Sequence, residues 1–144
     1  MAGKVISLSN VESSHALGRH KFILDDDGYV LGFHHENGSI TMLPAAKSVT
    51  GVTAFGGGGQ ANATALPYSN VNVDTVVTAG DSVILPVGVQ GLRMQIHNRT
   101  ANSLNLFPSV GEAINVLAAN TAIAIVASGN SQAICLTPNL WIVS

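Results

Sequence analysis

At 144 residues the chain has room for one domain, or one domain with a small appendage, and excludes two full ones. Apolar residues make up 47% and charged residues only 10%, against about 25% in an ordinary soluble domain, so Asn, Ser, Thr, Gly and Ala must cover much of the outside. A net charge of -2 with no Lys/Arg run excludes a phosphate-neutralising or anionic-membrane face, and the lone Cys135 excludes an internal disulfide.

The N-terminus lacks the charged-then-apolar pattern of a secretory signal, and the most apolar run, 122–127, falls far short of the ~20 residues that span a bilayer. The chain therefore reads as soluble and synthesised in a cytoplasm. Nine charges precede Phe55, whereas only Asp74, Asp81, Arg93, Arg99 and Glu112 follow it, so the first part is the wetter one.

Between 20 and 43 the apolar runs Phe22-Ile23-Leu24, Tyr29-Val30-Leu31 and Ile40-Thr41-Met42-Leu43 are separated by Asp25-Asp26-Asp27-Gly28 and Glu36-Asn37-Gly38-Ser39. Asp-Gly and Asn-Gly supply the positive φ angles of tight hairpins, which predicts a three-stranded meander. Three short strands bury little, so this segment, 1–54, is an arm that leans on something else. Phe55-Gly56-Gly57-Gly58-Gly59-Gln60 follows and reads as a linker at 55–60. No Gly-Lys-Ser/Thr completes a phosphate loop there.

From 70 onward, β-favouring segments at 71–78, 82–85, 92–98, 104–107, 121–127, 131–137 and 140–143 alternate with turn residues, the pattern of a sandwich or barrel-like β-domain at 61–144. Leu92, Met94 and Ile96 alternate with Arg93, Gln95 and His97, so one face of that strand is core. Later strands are apolar on both faces: Ile123 and Ile125 oppose Ala122, Ala124 and Val126, and Ile134 and Leu136 oppose Ala133 and Cys135. No helix is expected to cover the second face, since 110–119 is broken by Gly111 and reads as a turn and short strand, so another subunit is the expected cover. Leu92, Met94, Ile96, Ile123, Ile125, Ile134, Leu136 and Trp141 are the candidate core and subunit-interface residues.

No catalytic constellation, cofactor site or metal site is expected. His15, His20, His34 and His35 gather in the arm, but adjacent His34 and His35 point to opposite faces of a strand and cannot easily chelate one ion. Asp25-Asp26-Asp27-Gly28 lacks the remaining ligands of a calcium loop and is read as a turn. Gly129-Asn130-Ser131-Gln132-Ala133 lacks the final glycine of a nucleophile elbow and sits between strands. Ala133, Ile134 and Leu136 make Cys135 an inert core thiol. The Asn-x-Ser/Thr triplets at Asn37, Asn62 and Asn98 are read as turns.

The segments Gly88-Val89-Gln90-Gly91-Leu92-Arg93-Met94-Gln95-Ile96-His97-Asn98, Leu104-Asn105-Leu106-Phe107-Pro108-Ser109-Val110-Gly111-Glu112-Ala113-Ile114-Asn115 and Leu140-Trp141-Ile142-Val143 resemble small virion proteins of tailed bacteriophages: capsid cement or decoration proteins and related head-fibre modules. The resemblance covers the chain from Val71 to its end. It implies a homotrimer of intertwined antiparallel β-sheets, a β-tripod, seated on the outer capsid surface where major capsid proteins meet, with the arm free to make lattice contacts. The expected partners are thus further copies of the chain and the major capsid protein, with neither nucleic acid nor membrane. The alternative is a head-fibre or glycan-binding module, for which Tyr29, Tyr68 and Trp141 are the available stacking aromatics.

Overall fold

The computed structural model describes residues 4–7, 21–24, 30–43 and 47–144. It divides the chain into two compact units, Met1–Pro44 and Ala45–Ser144. All regular structure among the described residues is β, in several sheets, with no helix.

The first unit holds β1 (Lys4–Ser7), β2 (Lys21–Leu24), β3 (Val30–His34) and β4 (Ile40–Met42) in a sheet of that order. Every neighbouring pair is antiparallel, so the expected meander is present, preceded by a strand that the sequence did not mark. Its second turn follows the Asn-Gly chemistry. Gly38 sits at φ 83°, and Asn37 Oδ1 accepts both the N–H and the hydroxyl of Ser39 at 2.9 and 2.6 Å. Phe22 and Phe33, directly paired across β2 and β3, place their rings 5.3 Å apart. Gly32 is required beside them, because a Cβ there would collide with the Thr41 carbonyl and with Met42. The first expected turn, Asp25 to Gly28, lies outside the described residues, as do His15, His20 and Tyr29.

The second unit contains β5 (Ser48–Thr53), β6 (Thr64–Ala65), β7 (Asn70–Thr75), β8 (Asp81–Ile84), β9 (Arg93–Asn98), β10 (Leu104–Phe107), β11 (Ala113–Ile114), β12 (Ile123–Ile125), β13 (Asn130–Thr137) and β14 (Leu140–Val143). Up to β12 the chain alternates strictly between two sheets. Odd strands join a six-stranded sheet, β11-β14-β13-β9-β7-β5, and even strands a four-stranded one, β12-β10-β8-β6. Strands β5, β7 and β9 are mutually parallel, and so are β6, β8 and β10. Parallel neighbours need a crossover between them, and here each crossover is itself a strand of the opposite sheet. The result is a solenoid-like coil.

This corrects the expectation of an antiparallel core. Apart from the isolated Phe55–Ser82 bridge, antiparallel pairing in this unit enters at the C-terminal end, where β12 joins β10, and β13 joins β9 and β14. Hairpins have short turns, whereas the connections from β7 to β8 and from β8 to β9 swing the chain across the core, with Gly80 and Gly91 at φ 92° and 91° taking the left-handed corners.

The expected boundary also moves. Ser48–Thr53, expected in the arm, pairs with β7 as the edge strand of the six-stranded sheet. The glycine run after it is tied into this second unit: Phe55 bridges Ser82, the Gly57 N–H donates to Asp81 Oδ1 at 3.2 Å, and the Ser82 hydroxyl donates to the Gly59 carbonyl at 2.9 Å.

Inward residues form rows across the strands. Met94, Ala133 and Val143 stand side by side, as do Cys135 and Trp141, with Ile114 beside Trp141. In the smaller sheet Thr64, Val83, Leu106 and Ile123 line up, and Leu104 meets Ile125. Val71, Val73, Met94, Ile96, Val83, Leu104, Leu106, Ile114 and Trp141 are all buried, each contributing on the order of 1.5–3 kcal/mol for a full-sized aliphatic or aromatic side chain.

Candidate functional site

The outer face of the six-stranded sheet carries the groups available for recognition. Alternation along β13 buries Ala133 and Cys135 and turns Asn130, Gln132, Ile134 and Leu136 outward. Strand β9 buries Met94 and Ile96 and turns Arg93, Gln95 and His97 outward, as its sequence pattern predicts. Pairing then aligns the two sets: Asn130 with His97, Gln132 with Gln95, and Ile134 with both Arg93 and Ile142. One end of this face is polar and the other aliphatic.

The aliphatic end consists of Ile134, Leu136 and Ile142, with Leu136 51% and Ile142 38% exposed. Of the candidate core and interface residues, Leu92, Met94, Ile96, Ile125 and Trp141 are buried within the chain, Ile123 and Ile134 are half-buried, and Leu136 is exposed. The eight thus separate into an internal set and an outward pair, Ile134 and Leu136. The division follows from pleat parity, which the sequence shows, and from which face the coil closes upon, which it does not.

At the polar end, the His97 Nδ1–H donates to Asn130 Oδ1 at 2.7 Å. Asn72, the β7 neighbour of His97, completes a row of three across adjacent strands. An open hollow of about 440 Å³ lies over this row, rimmed also by Arg99 and Ser128. Arg99 Nε is 3.7 Å from Asp74 Oδ1, an exposed and weak pair.

Beneath the surface, acids and amides serve the fold. Glu112 is buried and accepts the Trp141 indole N–H at 2.7 Å and the Gly88 N–H at 2.7 Å. Asp81, 1% exposed, accepts the N–H groups of Val77 and Thr78 at 2.9 Å and of Gly57 at 3.2 Å. The Thr78 N–H above all, with those of Gly57 and Val77, holds its carboxyl below the usual carboxylate range against an opposing desolvation. Asn98 Nδ2 donates to the carbonyls of Asn102, Ile125 and Val126, while its Oδ1 accepts from the Thr100 N–H and hydroxyl. From the sequence Asn98 is expected only in a turn, and Asp81 and Glu112 carry no assigned role. Glu112 meets partners 24 and 29 residues away, whereas Asp81 and Asn98 combine local turn bonds, to Val77, Thr78, Thr100 and Asn102, with remote ones to Gly57, Ile125 and Val126.

Cys135 is buried, and burial first, then the Glu112 carboxylate, pushes its thiol up to about 11. Tyr68 is buried too, and burial raises its phenol, an effect the Arg93 N–H and charge partly offset. With Trp141 and Tyr68 enclosed and Tyr29 outside the described residues, none of the three aromatics named above offers a described exposed face to a stacked sugar. Among the described residues no group of three or more His, Cys, Asp or Glu comes together, and no helix is long and apolar enough to cross a membrane. Comparison with family models, with curated proteins and with solved structures finds no match to this chain.

Proposed function

We propose that the chain is a non-catalytic structural protein of a virion, which associates as a homotrimer and binds the outer surface of an expanded bacteriophage capsid. The observation that carries the self-association is the strip Ile134, Leu136 and Ile142, turned outward on a sheet that no helix among the described residues covers. Burying such a strip against further copies follows the rule that an apolar sheet face requires a second layer. A β-tripod built from three chains is the finer arrangement the resemblance implies, and the three acids after Phe55, Asp74, Asp81 and Glu112, being engaged with backbone, indole or guanidinium groups, favour a structural role over an enzymatic one.

Binding to a capsid acts through differential affinity: a protein that prefers the expanded shell stabilises it by mass action, and three linked copies convert modest contacts into long-lived attachment. The test is the mass of the protein in solution, together with co-sedimentation with expanded and unexpanded heads. A trimer retained by expanded heads is expected; a monomer that ignores them removes the proposal.

A further inference from the structure

We infer that the polar end of the outer face is a binding site for a hydroxyl-rich oligosaccharide, held by side-chain amides instead of by aromatic stacking. Two hollows meet there. The one of about 440 Å³ over Asn72, His97 and Asn130 adjoins another of about 320 Å³ over Gln95, Gln132 and Ser144, and both are lined by His97 and Asn130. Together they form a trough running across β7, β9 and β13.

The amides fall into two groups, and Asn98, although it also lines the first hollow, belongs to the engaged one. Asn98, Asn102 and Asn115 spend their side chains on main-chain groups of the fold. The side chains of Asn72, Gln95, Gln132 and Ser128 make no hydrogen bond among the described residues. Each unspent amide presents a carbonyl acceptor and an NH₂ donor, which suits a sugar hydroxyl, itself both donor and acceptor. Asn130 spends Oδ1 on His97 and keeps its NH₂ group, while the same bond fixes the imidazole and leaves Nε2 as its other polar atom.

The backbone adds a second observation. Ser128, on the rim, sits at φ 55°, a left-handed conformation that Gly or Asn adopts at lower cost. Sparsely populated backbone geometry concentrates at binding sites, and here it sets a free hydroxyl at the mouth of the trough.

Other ligand classes fit less well. The trough is open and polar, so it offers an apolar molecule no enclosure. Arg99, its one permanent cation, already faces Asp74, too little charge for a row of phosphates. A pyranose chain laid across the strands has a repeat close to their spacing of about 4.8 Å, so successive sugars meet successive strands.

The test is side-chain amide NMR on the isolated chain titrated with maltohexaose, N-acetylglucosamine hexamer and hexagalacturonate. It uses no capsid, so its outcome is separate from that of the virion role. The Asn72, Gln95 and Gln132 resonances are expected to move with at least one hexamer at millimolar concentration. A stronger response to hexagalacturonate assigns Arg99 to a carboxylate; a response to the neutral sugars assigns the amides alone, and both support the site. A folded Asn72→Ala/Gln132→Ala variant should bind about tenfold more weakly, and Val110→Ser, outside the trough, should bind unchanged. No movement with any hexamer at ~10 mM, or movement that survives the double substitution, overturns the inference.

Discussion

Trp141 is fully buried with its indole N–H on Glu112, so its contribution has two separable parts, volume and hydrogen bond. Trp141→Ala should cost about 3–5 kcal/mol, the usual penalty for emptying a core aromatic site. Trp141→Phe keeps most of the volume and leaves Glu112 Oε2 without that donor, a loss of about 1–3 kcal/mol. Urea unfolding of both variants reads the difference. The neighbouring Cys135 gives a pH signature. Because its folded thiol titrates near 11 against an ordinary 9.0, the unfolded chain gives up the proton first as pH rises through that interval. Stability is therefore unaffected by this group below about pH 9 and falls between there and about 11. Cys135→Ala should flatten that part of the alkaline limb, and a thiol reagent at pH 8 should modify the wild-type chain only as it unfolds.

At the scale of elements, the corners between strands are held by side chains in place of extra chain length. Asp81 closes the turn from β7 to β8 and reaches back to the glycine run after β5, so one carboxylate joins two successive coils. Its depressed pKa gives stability that is fully present above its ordinary value of 3.8 and is lost as pH falls below that, through the lower folded value. Asp81→Asn should lower the urea midpoint at pH 6 and narrow its gap to wild type as both are taken down toward pH 2. A gap independent of pH would remove the ionised carboxylate from this role. Asn115 acts similarly at the other end of the coil. At φ 54° it exchanges two hydrogen bonds of 2.9 Å with the N–H and carbonyl of Val143, so its side chain replaces a neighbouring strand beside β14. Asn115→Ala should speed hydrogen exchange at Val143 more than at Met94, which lies within the sheet.

Across the whole molecule, the outer face of the six-stranded sheet divides between an aliphatic end and an amide end, and the two functions proposed here use different ends. Self-association should therefore be separable from sugar binding. Replacing Ile134, Leu136 and Ile142 by Ser removes outward side chains only and should leave the fold intact while lowering the sedimenting mass to that of one chain. If the mass remains that of an oligomer, another surface holds the copies together.

Several of these features were legible in the residues alone. β-favouring segments set between turn residues identified the strands at 92–98, 104–107, 131–137 and 140–143, and period-two alternation separated the buried side of β9 from its outward side, because pleat parity is a local property. The Asn37-Gly38 hairpin followed from φ preference, and the reading of 110–119 as turn and short strand followed from the lack of a 3.6-residue stripe, β11 (Ala113–Ile114) being the strand there. What the sequence could not supply was partner choice between strands. Parallel and antiparallel neighbours share the same alternation, so the coil in which β5, β7 and β9 stack was hidden, and Ser48–Thr53, interrupted by Gly51, read as loose chain. The roles of Glu112, Asp81 and Asn98 were hidden for the same reason. Beyond the local turn bonds of Asp81 and Asn98, each makes hydrogen bonds to residues brought near only when the chain closes, and those bonds gain strength in the folded enclosure that excludes water.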